Sequence, residues 1–417
     1  MSVLYDLIKQ TELPPVYRVR QLFDRTRIES VGEEIFRQFQ KPEIRRRIRP
    51  GMRVAVTAGS RGVNNIAEIL RETVGQVRAL GAEPFIVTAM GSHGGATPEG
   101  QLGLLAELGI TPDSVNAQIL SSMEVVLLGD TVSGVPVYFA REAIEADATI
   151  LAGRIKPHTA FRGGIESGVV KMGAIGLGKQ KGAESFHSLG MENMAKNLVE
   201  MGRVVLEKAN VAVGLAILEN AYDQTYILEM IPAENLMDRE RELLEVAKSK
   251  MACILPGPLD VLVVDEIGKN ISGDGADPNI TRRFYSPYVQ CAGSPQRLVY
   301  LDLTPESHGN AIGLGVADFI TQKLMDKIDY ESMYMNVITN CVPEPAKLPL
   351  IMPNETMAVQ AAIRTCLRTD PGSPRLAHIK NTLHLEEIYI TLPLLNDVKD
   401  RDDLVLLDGP HPLRLDI

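Results

Sequence analysis

Three short apolar runs in this chain end in polar residues that could do chemistry together. Arg53-Val-Ala-Val-Thr-Ala-Gly59 leads into Ser60-Arg61-Gly62. Pro84-Phe-Ile-Val-Thr-Ala-Met90 leads into Gly91-Ser92-His93-Gly94-Gly95, and Ala148–Gly153 leads into Arg154-Ile-Lys156-Pro157-His158. Arginine presents a planar fork that matches a carboxylate or phosphate with two hydrogen bonds. Histidine titrates near neutral pH, so two of them can share general acid and base duty. Arg61, His93 and His158 are therefore the candidate catalytic residues. One loop histidine beside glycines often does no more than bond to backbone, but two at equivalent strand ends answer no repeated structural need.

A glycine-rich stretch follows: Phe161-Arg-Gly-Gly-Ile-Glu-Ser-Gly168-Val-Val-Lys171-Met-Gly-Ala-Ile-Gly-Leu-Gly178-Lys179-Gln180, reaching His187. Its glycine density implies that backbone approaches something closely. Gly173 to Lys179 spells G-x-x-x-x-G-K, but Gln180 stands where a P-loop needs Ser or Thr, and no strand precedes it, which excludes an NTPase. No G-x-G-x-x-G opens the first βαβ unit, which argues against an ordinary nicotinamide site. Lys171 lies among Val169, Val170 and Met172. A lysine tucked into apolar surroundings loses its proton more readily and becomes nucleophilic, so covalent attachment is a candidate role. The competing reading is a lysine that snorkels to the surface.

The elements that must position these residues are legible in the same stretch. The β-branched run 53–59 reads as a buried parallel strand. Ile66, Ile69, Leu70, Val74, Val77 and Leu80 mark one helical face, with Gly81 placed to end the helix. The run 84–90 is the next strand, and the repeat of strand, helix and strand is a Rossmann-like βαβ unit. Thr97-Pro98-Glu99 reads as a helix start. Val125–Leu128, Val135–Phe139, Ala148–Gly153 and Val211–Ile217 read as strands, and 191–209 and Asp238–Lys250 as helices. The fold class is α/β with two domains: a mostly parallel, doubly wound first domain over 1–255, and a smaller α/β domain over 256–417. The boundary falls at Leu255-Pro-Gly-Pro258. The second domain is expected to close over the site, and the last 25 or so residues to pack back on the first domain. In an open parallel sheet ligands bind outside the carboxyl ends of the strands, which places Arg61, His93 and His158 at one crevice.

Composition bounds the function. The chain has 417 residues and a formal net charge of -10, which disfavours a nucleic-acid partner or a basic membrane face. No apolar stretch reaches membrane-spanning length and residues 1–15 do not form a secretory signal, so a cytoplasmic protein is expected. The four cysteines Cys253, Cys291, Cys341 and Cys366 form no CxxC pair and read as buried apolar residues. A homo-oligomer is compatible with all of this.

Taken in order, these residues resemble the nickel-dependent lactate racemase family. The resemblance covers most of the chain and is sharpest from Arg53 to His187. It rests on an arginine after one strand, Gly-Ser-His after the next, a histidine after a later strand, a lysine in a glycine-rich helix and a histidine sixteen residues beyond it. Here these are Arg61, His93, His158, Lys171 and His187. The resemblance implies a nickel-pincer nucleotide, a pyridinium mononucleotide with thioamide and thiocarboxylate arms, joined to Lys171 and delivered by cofactor-synthesis proteins. His187 would be the protein ligand to nickel, with Glu184 as its hydrogen-bond partner, and sulfur with imidazole suits square-planar Ni(II). Ser60, Gly94, Gly163 and Gly164 would line the nucleotide. The implied reaction is racemisation or epimerisation of a small 2-hydroxy acid by hydride transfer at C2, with His93 and His158 as paired acid and base and Arg61 on the carboxylate.

Two departures concern the substrate. Lactate-acting members carry an acidic residue three before the arginine, where this chain has Ala58. Their second domain offers a Gln and a Lys three apart, whereas the comparable stretch here is Ile267–Thr281, with Lys269, Asn270, Asp274, Asp277 and Asn279 as its polar residues. Of these, Lys269, Asn270 and Asp277 are the candidate substrate contacts, against a plain reading as a solvated Asx-turn loop. The departures point away from lactate itself. Two competing readings remain: a nickel-independent lyase or isomerase that uses Lys171 as an amine, and a non-enzymatic protein that binds a small acid through Arg61.

Overall fold

The computed structural model describes residues 3–289, 291–339, 342–367 and 369–415. Two compact units are present: Asp24–Met251, and the residues before Asp24 together with those after Met251. The break falls close to Leu255–Pro258, but the N-terminus does not stay with the segment that follows it. Strand β1 (Val16–Gln21) pairs with two strands near the C-terminus. Its burial skips two residues between Val16 and Val19, because register shifts against its last partner interrupt the alternation. Buried Gln21 ties the segment down, donating to the carbonyls of Leu385 and Cys253 and accepting from the Leu255 N–H.

The first unit holds β2 (Arg53–Ala58), β3 (Glu83–Thr88), β4 (Ile119–Leu120), β5 (Val125–Asp130), β6 (Pro136–Ala140), β7 (Ala148–Arg154), β8 (Val211–Glu219) and β9 (Thr225–Pro232). Six of them form one sheet in the order β4-β3-β2-β7-β8-β9, parallel except for β9. The chain runs from β2 outward to β4 on one side and later from β7 to β9 on the other, so the winding reverses between β2 and β7. Strands β5 and β6 stand apart as an antiparallel hairpin, β5 being too exposed on both faces for a sheet centre. Both faces of the sheet are covered. Val54, Val56 and Ala58 pack with Ile69, Leu70, Val74 and Val77 of the helix Ile66–Ala79, while Ala55 and Leu151 face the helices Met194–Lys208 and Leu236–Lys250. That alternation along β2 is the period of two a doubly covered strand requires.

The second unit has fewer residues but a wider sheet. It comprises β10 (Val261–Ile267), β11 (Arg297–Leu303), β12 (Phe319–Thr321), β13 (Leu350–Met352), β14 (Leu376–Ile379), β15 (Glu387–Thr391) and β16 (Leu404–His411), in the order β13-β12-β11-β10-β14-β15-β1-β16. The closing strand β16 therefore pairs with β1 inside this unit. Cys253 and Cys366 are half-buried and Cys291 is exposed, so the expectation of buried cysteines fails for these three; they lie in connections, not in the strands. Cys341 lies outside the described residues. No helix among the described residues is long and apolar enough to cross a membrane.

The placement of β1 is open to test. Val19 is 1% exposed between β15 and β16. Val19→Asp should destabilise the chain by about 3 kcal/mol, the cost of an unpaired buried charge, seen as a lower Tm in thermal unfolding. An unchanged Tm would show that β1 is dispensable.

Candidate active site

Because β2 lies between β3 and β7, the three loops that follow these strands leave the sheet side by side at its carboxyl edge, where the winding reverses. Arg61, His93 and His158 lie on those loops. The glycine-rich segment that follows is laid across the same edge. A Cβ on Gly153 would sit 2.8 Å from the Met172 side chain, and one on Gly176 would sit 2.7 Å from the Ala89 carbonyl. The Gly91 N–H donates to the Gly176 carbonyl at 3.1 Å, joining the segment to the loop that carries His93.

Lys171 ends a single helical turn, Val169–Lys171, which widens into a π-helical turn over Met172–Gly176 and continues as the helix Lys179–His187. Two buried ionisable groups fix this path. Glu240, 1% exposed, accepts the Val170 N–H at 2.9 Å, and any Cβ on Gly168 would collide with it. Burial pushes the Glu240 carboxyl up to about 7, against the opposing pull of the Val170 and Val169 N–H groups. Lys179, fully buried, donates to the carbonyl and hydroxyl of Thr88 at 2.6 and 2.8 Å, and burial lowers it to about 8. The segment is thereby held at its start by the helix Leu236–Lys250 and at its end by β3.

His158 and Lys171 are in contact, with Nε2 2.7 Å from Nζ. The imidazole stacks on Phe161, with ring centroids 4.2 Å apart, and its Nδ1 accepts the Ala160 N–H at 3.0 Å. Burial first, then the positive charge of Lys171, His187, Lys156 and Arg162, hold His158 well below the ordinary histidine range. It is neutral at physiological pH. Buried Glu166 shapes this loop by accepting the N–H groups of His158 and Gly163 and pairing with Arg162 and Lys248. His187, at the end of its helix, is lowered to about 4 by burial and by Lys171, and its Nδ1 has no hydrogen-bond partner among the described residues. Glu184 does not supply one: it is exposed and accepts from Gln180. On the β3 side the exposed His93 hydrogen-bonds through Nδ1 to Ser60 Oγ, and buried Gln101 donates to the carbonyls of Gly91 and His93. Arg61 is exposed on the loop after β2.

The sequence-derived residues thus fall into two contacting pairs, Ser60 with His93 and His158 with Lys171, with His187 near enough to be coupled electrostatically to both His158 and Lys171. Packing within the chain already accounts for the glycines at 94 and 163, where a Cβ would meet the Gly100 backbone at 2.6 Å and Ala195 at 3.0 Å. At 164 a Cβ would stand in ordinary contact with the Arg241 side chain at 3.4 Å. Arg154 does not add to an open basic crevice, because it is paired with Glu219. In the second unit Lys269 donates to the Gly273 carbonyl and to Asn336, Asn270 accepts from Thr304, and Asp277 caps the turn Pro278–Thr281. Each is bound into its own loops. Glu166, Glu240 and Gln101 were not singled out from the sequence. Glu240 is 69 positions from Lys171 in an ordinary charged helix, and nothing local marks it.

With this geometry in view, comparison with known proteins finds two likenesses. Residues 9–198 match the model of the lactate racemase N-terminal domain. The two-unit α/β architecture matches the lactate racemase apoprotein from Thermoanaerobacterium thermosaccharolyticum with a TM-score of 0.50 and 13% identity, over 88% of this chain and 99% of that one. No curated protein sequence matches. The sequence similarity to that family thus rests on residues 9–198, and the structural match shows a shared fold.

The Glu240 cap makes a signed prediction. A carboxyl whose native pKa is raised from the ordinary value near 4.3 to about 7 contributes stability that is fully present below the lower value and lost as pH rises through the upper one. Glu240→Gln cannot ionise, so its Tm relative to wild type should rise between pH 5 and pH 8. A difference that is flat with pH would contradict the buried-acid assignment.

Proposed function

We propose that this chain is an isomerase that inverts C2 of a small 2-hydroxy acid other than lactate, acting in the cytoplasm with a nickel-pincer nucleotide attached to Lys171. The observation that carries the reading is the contact between Lys171 and the neutral His158 at the sheet's reversal point, within electrostatic reach of a second neutral imidazole. The residues present suit such a group. His187 is uncharged at physiological pH and has a ring nitrogen without a hydrogen bond, as a metal ligand requires. One imidazole with soft sulfur donors is a set that favours Ni(II). When bound, the group supplies the acceptor and donor for the C2 hydrogen and its electron pair.

The chain's own residues do the rest. Arg61 holds the substrate carboxylate and sets its orientation. His93, whose Nδ1 is engaged by Ser60, exchanges a proton with the substrate hydroxyl through Nε2. His158 does the same for the mirror-image substrate, and its low proton affinity keeps it ready as a base. A reaction that runs equally both ways needs one such group for each enantiomer.

Production with cofactor-synthesis proteins and incubation with single enantiomers of 2-deuterated hydroxy acids tests this. The expected outcome is the opposite enantiomer with deuterium retained at C2. Label lost to water, or no inversion of any acid, would contradict the reading. His93→Gln and His158→Gln should each lower kcat by about 10²–10⁴-fold. Arg61→Met should act mainly on KM.

A further inference from the structure

The amino edge of the first unit's sheet, opposite the candidate active site, carries a basic recess. Residues 45–53 hold five arginines, concentrated there against a formal net charge of -10. Ile44 and Ile48 are buried in one cluster with Val54, Ala148 and Val213, which pins this segment beside the amino ends of β2, β7 and β8. Arg46, Arg47 and Arg49 then line a recess of about 340 Å³ together with Asp147 and Asn210, over the first residues of β7 and β8. That volume lies within the range of small-molecule sites. Part of the lining is fixed by the chain itself. Arg47 donates to the Glu43 carbonyl at 3.0 Å and to the Ala212 carbonyl at 3.4 Å, and pairs with Glu234. Asn210 donates to the carbonyls of Ala143 and Ala146 at 2.8 and 2.6 Å and accepts from Thr149. Asp147 is exposed and accepts the Arg53 N–H at 2.8 Å. Arg46 and Arg49 are exposed too, and among the described residues their guanidinium groups make no hydrogen bond or ion pair. With Glu234 matched by Arg47, these two cations outweigh the single carboxylate of Asp147.

We propose that this recess is a second binding site, for a small phosphate monoester that also carries hydroxyl groups, a sugar phosphate in class. Guanidinium forks match phosphate oxygens with paired hydrogen bonds, so Arg46 and Arg49 take the phosphate. A carboxylate repels bare phosphate but accepts from a hydroxyl, so Asp147 takes a hydroxyl of the same molecule and selects against inorganic phosphate. Arg61, His93 and His158 follow the carboxyl ends of β2, β3 and β7, whereas the recess lies at the amino ends of β7 and β8. Its ligand is therefore not the substrate. The proposal is independent of the chemistry assigned to Lys171 and stands or falls without it.

Calorimetric titration of the full chain with ribose 5-phosphate, ribose and inorganic phosphate tests this. Ribose 5-phosphate should bind at one equivalent and more tightly than inorganic phosphate, and ribose should not bind at the same concentrations. The double variant Arg46→Ala/Arg49→Ala should weaken ribose 5-phosphate by at least about tenfold. Asp147→Ala should weaken ribose 5-phosphate and tighten inorganic phosphate, opposite effects that a general loss of structure would not give. Arg61→Met, at the other edge of the sheet, should leave the titration unchanged. Thermal unfolding of each variant reports whether it is folded. No binding of ribose 5-phosphate up to about 10 mM, a Kd corresponding to less than about 3 kcal/mol, overturns the proposal. So does binding that survives the folded double variant, or that is lost in Arg61→Met, since the ligand would then sit at the candidate active site. Equal effects of Asp147→Ala on both phosphates would overturn the hydroxyl contact. A phosphoinositide headgroup offers the same chemistry from a membrane. Cosedimentation with vesicles containing phosphatidylinositol 4-phosphate, without binding of free ribose 5-phosphate, would overturn the soluble ligand.

Discussion

The site depends on one close approach: the backbone of residues 168–178 lies directly on the carboxyl ends of β2, β3 and β7. Any side chain at Gly153, Gly168 or Gly176 would lift it off. The π-helical turn over Met172–Gly176 belongs to the same constraint, since widened turns accommodate an extra residue where a helix must follow a surface it does not match. Buried Lys179 and Glu240 anchor the segment on either side of Lys171, one at a strand end and one at the start of the turn. Both occupy positions where burial works against their charge, which is how a fold trades stability for a fixed geometry.

The electrostatics follow from that packing. The chain as a whole is acidic, yet the groups that act on His158 are cationic or neutral. The nearby carboxylates are spent on backbone N–H groups and on Arg162, Lys248 and Arg154. Burial first, and the charged groups around them second, keep His158 and His187 unprotonated. Neutral imidazole is the form that takes a proton from a hydroxyl or binds a metal.

What could be read in advance follows from how local each signal is. The strands 53–58, 83–88 and 148–154 announce themselves as apolar runs stopped by glycine, and their adjacency puts Arg61, His93 and His158 on one edge. Lys171 stands out because its neighbours are apolar and glycine-rich. By contrast, β1 was unreadable: a register irregularity breaks its alternation, and its partners lie almost four hundred residues away. Glu166, Glu240 and Gln101 were silent for a related reason, since a buried side chain that bonds to distant backbone looks like any other polar residue in a one-dimensional pattern. The polar loop at 268–279 is conspicuous in sequence because Gly, Asn and Asp cluster there, and Lys269, Asn270 and Asp277 make hydrogen bonds that shape the loops of their own unit.

The central claim is that Lys171 is the attachment point of a nucleotide whose metal is completed by His187. Peptide-mapped mass spectrometry, with metal analysis of the full chain produced beside cofactor-synthesis proteins, tests it most directly. The account predicts a nucleotide-sized adduct on Lys171, nickel near one equivalent, loss of both in Lys171→Ala, and retention of the adduct with loss of nickel in His187→Ala. Nickel and activity that survive Lys171→Ala, or an unmodified Lys171 in an active wild-type enzyme, would contradict it.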